Sequence, residues 1–170
     1  MQFIEGMRVM SARELGLLGM QDIAYVKHIV VDGRDGFSVH AADGTQIAVM
    51  GNSFGGIEAV LGAEHTGYCA AVDASGGAES WDGARDLQSI MLHAVQHSTV
   101  PILFFQAEND YNLAPSRTLY AAMKRSNRPA EIRIYPPYGD GPAGGHSFAY
   151  RGASIWIDDV VRFLDTHCKP

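Results

Sequence analysis

From residue 47 onwards, short apolar segments alternate with longer segments of helical length, and this alternation restricts the possible folds. The apolar segments are IAVM (47–50), YCAAV (68–72), PILFF (101–105) and EIRIY (131–135). The segments of helical length between and after them are about 54–64, 81–97, 116–127 and 154–166. Strands that are apolar along their length are typical of parallel sheets with helices on both faces. We therefore predict an α/β fold, with a mostly parallel sheet flanked by helices.

The residues before this region follow a different pattern. Ser11, with Glu14 three residues later, favours a short helix that would end near Gly19. Three segments rich in β-branched and aromatic residues follow, at 22–31, 37–41 and 45–50. Because Asp-Gly pairs typical of tight turns separate them, they favour a β-meander. We predict that residues 1–46 form this helix and meander, and that residues 47–170 form the α/β domain.

Composition and charge exclude several classes of partner. The chain has 13 Lys and Arg against 19 Asp and Glu, a net charge of -6, and its basic residues do not cluster. Nucleic acids and anionic membrane surfaces attract concentrated positive charge, so neither is an expected partner.

The cysteines and the start of the chain bear on its location. Cys69 and Cys168 are too few for a disulfide framework, and Cys69 is expected to be a small buried core residue. Residues 1–20 resemble neither a signal peptide nor a membrane span. We expect a cytoplasmic protein.

A possible nucleophile lies between the first apolar strand and the helix after it. Residues 51–55 read GNSFG, a G-x-S-x-G sequence. In a nucleophile elbow, a sharp strand-to-helix turn lifts the serine oxygen above the sheet, and the next amide can stabilise an oxyanion. The alternative is a serine that merely caps a helix in a glycine-rich turn. We predict that Ser53 is the nucleophile and that the Phe54 N–H contacts the substrate.

A serine nucleophile needs a base and an acid that orients it. Asp110 follows the third apolar segment, and His146 follows the fourth within a glycine-rich loop. Because the carboxyl ends of parallel strands meet at one edge of a sheet, these two residues and Ser53 are expected to converge there. We predict a Ser53–His146–Asp110 triad, which needs no metal or organic cofactor.

Other residues compete for these roles. Glu108 shares the loop of Asp110, and Asp73 also follows an apolar strand. Three aromatic residues are candidates for a substrate pocket or for core packing: Phe54, Trp81 and Tyr111.

Two histidines have a spacing that can bind a metal ion. His93 and His97 are four residues apart on a predicted helix. The sequence shows no third ligand near them, so we expect a solvated helix face and no metal site.

From about residue 47 to its end, the chain resembles the dienelactone hydrolase family of α/β-hydrolases. The resemblance is carried by IAVMGNSFGG (47–56), AAVDASGGAESW (70–81), PILFFQAENDYNLAPSR (101–117), IYPPYG (134–139) and GGHSFAYRGASIW (144–156). It implies a nucleophile at Ser53, an acid at Asp110 and a base at His146. The enzymes that name the family have cysteine at the nucleophile position, so serine shifts the expected activity from enol-lactone opening to ester hydrolysis.

The front of the chain departs from that family. Residues 14–48 instead resemble a small bacterial domain family of unknown function, so we predict a fusion near residues 45–47 to a truncated α/β-hydrolase fold. The expected function is a serine esterase that cleaves small carboxylic esters. The alternatives are a weak or inactive scaffold that acts as a binding or assembly module, and an acyltransferase. Because missing strands would expose a sheet edge and apolar helix faces, we expect a homodimer.

Overall fold

The residues that the structure describes form one seven-stranded sheet, in which the strands lie side by side in chain order. The computed structural model describes residues 8–10, 26–32, 36–41, 47–64 and 67–168. The helix predicted for residues 11–19 lies outside the described residues.

The sheet has an antiparallel and a parallel part. Its strands are β1 (Arg8–Met10), β2 (Val26–Asp32), β3 (Gly36–Ala41), β4 (Ile47–Asn52), β5 (Tyr68–Ala74), β6 (Ile102–Ala107) and β7 (Ala130–Tyr135). Pairing is antiparallel from β1 to β4 and parallel from β4 to β7. Strand β4 therefore belongs to both parts, and the predicted parallel sheet is confirmed for four strands.

Helices connect and cover the parallel strands. They are α1 (Phe54–Gly62), α2 (Arg85–His97), α3 (Ala114–Arg125), α4 (Gly141–His146), α5 (Phe148–Arg151) and α6 (Ala153–His167). The prediction of one helix over residues 81–97 is wrong at its start. A separate 3₁₀ turn spans Trp81–Gly83, and Ala84 has non-helical angles, φ -116° and ψ 74°. Glycine has a low helix propensity, which is consistent with a break at Gly83.

Alternate residues of the central strands supply two hydrophobic cores, one on each face of the sheet. Ile102 and Phe104 of β6 belong to the first core, together with buried residues of α1, α2 and α3. Leu103 and Phe105 belong to the second core, together with buried residues of α5 and α6. Successive side chains of a strand point to opposite faces, so both faces of the parallel sheet are covered. The predicted α/β class is confirmed.

A disulfide links the second core to the end of the last helix. Cys69 in β5 and Cys168, directly after α6, are bonded, with their Cα atoms 5.1 Å apart. Cys69 is half-buried and bonded, which corrects the expectation of a small buried core residue. Disulfides are rare in the reducing cytosol, so the bond removes one argument for a cytoplasmic location. Within the described residues, no helix is long and apolar enough to cross a membrane. The cytoplasmic location stays a prediction.

Removing this disulfide is expected to destabilise the fold substantially. The bond joins residues 99 positions apart, so it restricts the unfolded chain strongly, and such bonds typically contribute about 2–4 kcal/mol. We expect the double variant Cys69→Ser/Cys168→Ser to lose about that much unfolding free energy, measured by urea denaturation. Reductant should lower the urea midpoint of the wild-type protein and leave that of the variant unchanged. Equal midpoints for the two oxidised proteins would contradict the expectation.

Candidate active site

Ser53 occupies a sharp turn between a strand and a helix. It is the single residue between the end of β4 and the start of α1, and its backbone has φ 56° and ψ -116°. Such angles are strained for a residue with a side chain and are found at functional turns. A Cβ atom at Gly51 would overlap the Gly55 carbonyl, so the turn requires glycine there. The Ser53 N–H donates to the Ala74 carbonyl at 2.9 Å, which attaches the turn to β5.

The three predicted triad residues lie in one hydrogen-bonded row. His146 Nε2 is 2.8 Å from Ser53 Oγ, and His146 Nδ1 is 2.8 Å from Asp110 Oδ1. The side chain of Asp110 is 0% exposed and that of His146 is 14% exposed. Because a carboxylate can only accept, Nδ1 carries the proton and Nε2 is left to accept the serine proton. This arrangement can remove a proton from Ser53 and stabilise the resulting imidazolium.

The Asp110 carboxylate is held by neighbouring residues, one at the end of β6 and one in the loop after it. Oδ1 also accepts the Tyr111 N–H at 2.7 Å, and Oδ2 accepts Gln106 Nε2 at 3.1 Å. Gln106 is itself buried, and its Oε1 accepts the Ser116 hydroxyl. The rival acid in this loop, Glu108, is exposed. Gln106 was not predicted as a site residue, although a glutamine that directly follows PILFF is an unusual polar residue at the end of a buried strand.

His146 is the last residue of α4, so the predicted glycine-rich loop is instead a short helix. A Cβ atom at Gly145 would lie 2.5 Å from the backbone nitrogen of Asp110, which shows how closely the helix approaches the acid loop. Asn109 joins the two segments. Its Oδ1 accepts the Tyr138 N–H at 2.8 Å, and its Nδ2 donates to the Gly141 carbonyl at 2.9 Å. Asn109 could not be predicted from the sequence, because its partners lie about thirty residues away along the chain.

The aromatic candidates take different positions. The Phe54 ring is 61% exposed next to the nucleophile. Phe54 is the first residue of α1, so its backbone N–H has no hydrogen-bond acceptor within the helix. Tyr111 is 46% exposed and places its ring edge-to-face with His146, with 5.3 Å between the ring centres. Trp81 is buried in the first core. Phe54 and Tyr111 are therefore at the site, and Trp81 is a packing residue.

Asp73, the second candidate acid, lies buried at the carboxyl end of β5. Its Oδ1 accepts the Gly76 N–H at 2.8 Å, and its Oδ2 has no hydrogen-bond partner in the part of the chain that the structure describes. A Cβ atom at Gly56 would overlap Oδ1, so helix α1 packs tightly on this carboxyl. Burial, with a smaller contribution from the charge of Asp110, raises the pKa of Asp73 to about 7. A fraction of the protein molecules therefore has Asp73 protonated at neutral pH. A neutral carboxyl suits a packing role better than the stabilisation of an imidazolium.

Glu64 supplies a third possible metal ligand beside His93 and His97. Its proximity to the histidines depends on how α1 and α2 pack, so it could not be predicted from the sequence.

Solved structures of other proteins share this fold. An acylaminoacyl peptidase from Pyrococcus horikoshii superposes with a TM-score of 0.57 and 15% identity, over 72% of this chain and 24% of that one. An esterase from Pyrococcus furiosus gives a TM-score of 0.54 and 15% identity, over 74% of this chain and 55% of that one. The chain thus matches between about a quarter and just over half of the length of these proteins, and the likeness at this identity concerns the fold. No curated protein matches the chain.

A family model gives a more specific relationship. It describes the dienelactone hydrolase family and matches residues 24–161, most of the 170 residues. The match begins within residues 14–48, which we predicted to derive from another family. It therefore does not support the predicted fusion, and the division at residue 47 stays a prediction. The chain belongs to the dienelactone hydrolase family.

Proposed function

We propose that the protein is a serine hydrolase that cleaves small carboxylic esters through an acyl-enzyme. The observation that carries this proposal is the row of contacts from Ser53 through His146 to the buried Asp110. Membership of a hydrolase family supports it, and one of the proteins with the same fold is an esterase.

Acylation begins when His146 Nε2 accepts the Ser53 proton as Oγ attacks the ester carbonyl carbon. The negative charge that develops on the carbonyl oxygen is stabilised by the Phe54 N–H together with one further donor. Asp110 stabilises the imidazolium. Collapse of the tetrahedral intermediate breaks the ester C–O bond, and His146 gives its proton to the departing alcohol oxygen.

Deacylation uses the same residues with water as the nucleophile. His146 accepts a proton from water as the water oxygen attacks the acyl carbon. Collapse of this second tetrahedral intermediate breaks the bond between the acyl carbon and Ser53 Oγ, and His146 returns the proton to Oγ. One ester and one water molecule give one acid and one alcohol. No step requires an oxidant, a reductant or a metal ion.

The surroundings of Ser53 favour small apolar substrates. The Phe54 and Tyr111 rings are both exposed beside the nucleophile and the base, and each offers an apolar surface to an acyl or alcohol group. We therefore propose short-chain esters as the substrate class.

Covalent labelling tests the proposal directly. A fluorophosphonate probe reacts with a serine only when a base activates it, so we expect wild-type protein to carry one label, assigned to Ser53 by peptide mass spectrometry. Ser53→Ala should not be labelled. Ser154→Ala, which alters an exposed serine of α6, should be labelled like the wild type and is the matched control.

The same experiment distinguishes the alternative. A wild-type protein that resists the probe and does not release nitrophenol from short-chain nitrophenyl esters would overturn the esterase proposal. It would favour a scaffold that acts as a binding or assembly module, whereas labelling with acyl transfer to added alcohol would favour an acyltransferase. The homodimer also stays a prediction, and its mass in light scattering is the measurement that decides it.

A further inference from the structure

Glu64, His93 and His97 form a cluster beside the ends of α1 and α2. One possible ligand atom from each residue lies within 4.8 Å of the others, and His93 Nε2 is 3.7 Å from Glu64 Oε1. Imidazole nitrogen and carboxylate oxygen are ligands that Zn²⁺ and related divalent transition metals accept. We propose that these three side chains bind one such ion, with Zn²⁺ as the representative.

The backbone on either side of the cluster is fixed. Glu64 follows Ala63, and His97 precedes Ser98 and Thr99. The Ala63 carbonyl accepts two hydrogen bonds from Thr99, from its N–H at 2.8 Å and from its hydroxyl at 3.2 Å. Helices α1 and α2 are thereby joined next to the cluster, so the folded chain holds the three ligands near one another before any ion binds.

A hydrogen bond fixes the tautomer of the His97 ring. Its Nδ1 lies 2.9 Å from the His93 carbonyl oxygen. A carbonyl can only accept, so Nδ1 carries the proton and Nε2 presents a lone pair. Histidines that bind metals commonly donate their other ring N–H to a backbone carbonyl in this way. The two rings stack with 4.1 Å between their centres, which keeps His93 beside His97 on the same helix face.

The Glu64 side chain supplies a second, independent indication. Its Oε1 is shielded from solvent yet has no hydrogen-bond partner within the described ranges, although the side chain as a whole is 30% exposed. Burying a carboxylate oxygen without a hydrogen bond costs free energy. A cation between Oε1 and the imidazoles would satisfy it.

Binding requires only small side-chain movements. Ligand atoms around a tetrahedral Zn²⁺ are about 3.3 Å apart, given Zn–N and Zn–O distances of about 2 Å. The His93 side chain is 64% exposed, and its Nε2 needs to approach Glu64 Oε1 by only a few tenths of an ångström from the present 3.7 Å. Its exposure also leaves room for water at a fourth coordination position.

The cluster lies at the edge of the sheet opposite to the triad. Glu64 precedes β5 and His97 precedes β6, whereas Ser53 and Asp110 follow the carboxyl ends of β4 and β6. The ion would therefore join α1 to α2 and would not take part in ester cleavage. Because it binds the folded chain, it is expected to raise thermal stability.

Titration of the oxidised 170-residue chain with Zn²⁺ tests the site, with calorimetry for binding and thermal melting for stability. We expect one Zn²⁺ per chain and a melting temperature that rises with Zn²⁺ concentration. His93→Ala, His97→Ala and Glu64→Gln should each weaken the affinity at least about tenfold and reduce the shift in melting temperature. Gln96→Ala on the same helix and His167→Ala on α6 should both bind as the wild type does.

Two outcomes would overturn the proposal. One is a Kd weaker than about 1 mM for the wild type, which would leave a solvated helix face. The other is equal affinity in the wild type and in all three ligand variants, which would place the ion elsewhere. Circular dichroism confirms that each variant is folded, and Glu64→Gln retains nearly the same side-chain volume should an alanine variant fail to fold.

Discussion

Ser53→Ala is expected to lower kcat for a short-chain nitrophenyl ester by about 10⁴- to 10⁶-fold, because it removes the atom that forms the acyl-enzyme. The rest of the site would remain, since alanine is no bulkier than serine at the φ of 56° that this turn imposes. Some activity above the uncatalysed rate is therefore expected from the Phe54 N–H and from substrate binding. Initial rates at saturating substrate measure the effect.

The double variant Ser53→Ala/His146→Ala gives a sharper form of this expectation. His146 acts by accepting the proton of Ser53, and its Nε2 lies 2.8 Å from Ser53 Oγ. The two single losses should therefore be similar, and the double variant should lose no more than either. Ser154→Ala is the matched control and should retain the wild-type rate. Losses that add in the double variant would show that the two residues act separately and would contradict the proposed mechanism.

The sequence was sufficient to predict the triad, because a residue that directly follows a parallel strand lies at the carboxyl end of the sheet. Ser53, Asp110 and His146 each follow a different parallel strand, and parallel strands bring such residues together. Their catalytic roles stay predictions until the variants are measured. The residues that hold them were beyond prediction from a single sequence. In the sequence, Asn109 is not distinguished from other loop residues, because its partner Tyr138 lies close to it only in the folded chain.

Long-range packing accounts for the other differences. The Cys69–Cys168 bond depends on α6 ending over the start of β5, which no local pattern encodes. The third side chain of the histidine cluster, Glu64, likewise depends on the contact of α1 with α2. Local features such as the Gly83 break shift helix boundaries by a few residues. The order of strands and helices is thus readable from hydrophobic pattern, whereas side-chain partners require the tertiary structure.

Asp110→Asn is expected to lower kcat by about 10⁴-fold while the fold is kept. The Asp110 carboxylate accepts N–H groups from Gln106 and Tyr111 as well as from His146. An asparagine has one oxygen for these donors. If it accepts from the loop, its NH₂ group faces His146 Nδ1 and can pair only with an unprotonated nitrogen. The imidazole proton then lies on Nε2, which can no longer accept the serine proton.

Asp73→Asn is the matched comparison, because Asp73 is the other acid at a strand end and is also buried. Its Oδ1 accepts the Gly76 N–H, and its Oδ2 has no hydrogen-bond partner among the described residues. Neither oxygen bonds to His146, so kcat of Asp73→Asn should stay within about tenfold of the wild type.

The effect of Asp73→Asn should appear in stability instead. The folded pKa of about 7 exceeds the ordinary value of 3.8, so between these pH values the folded state binds more protons than the unfolded state. The unfolding free energy of the wild type should therefore fall as pH rises through this window, and Asp73→Asn should reduce that dependence. A 10⁴-fold loss of kcat in Asp73→Asn, with Asp110→Asn active, would instead make Asp73 the acid that orients His146.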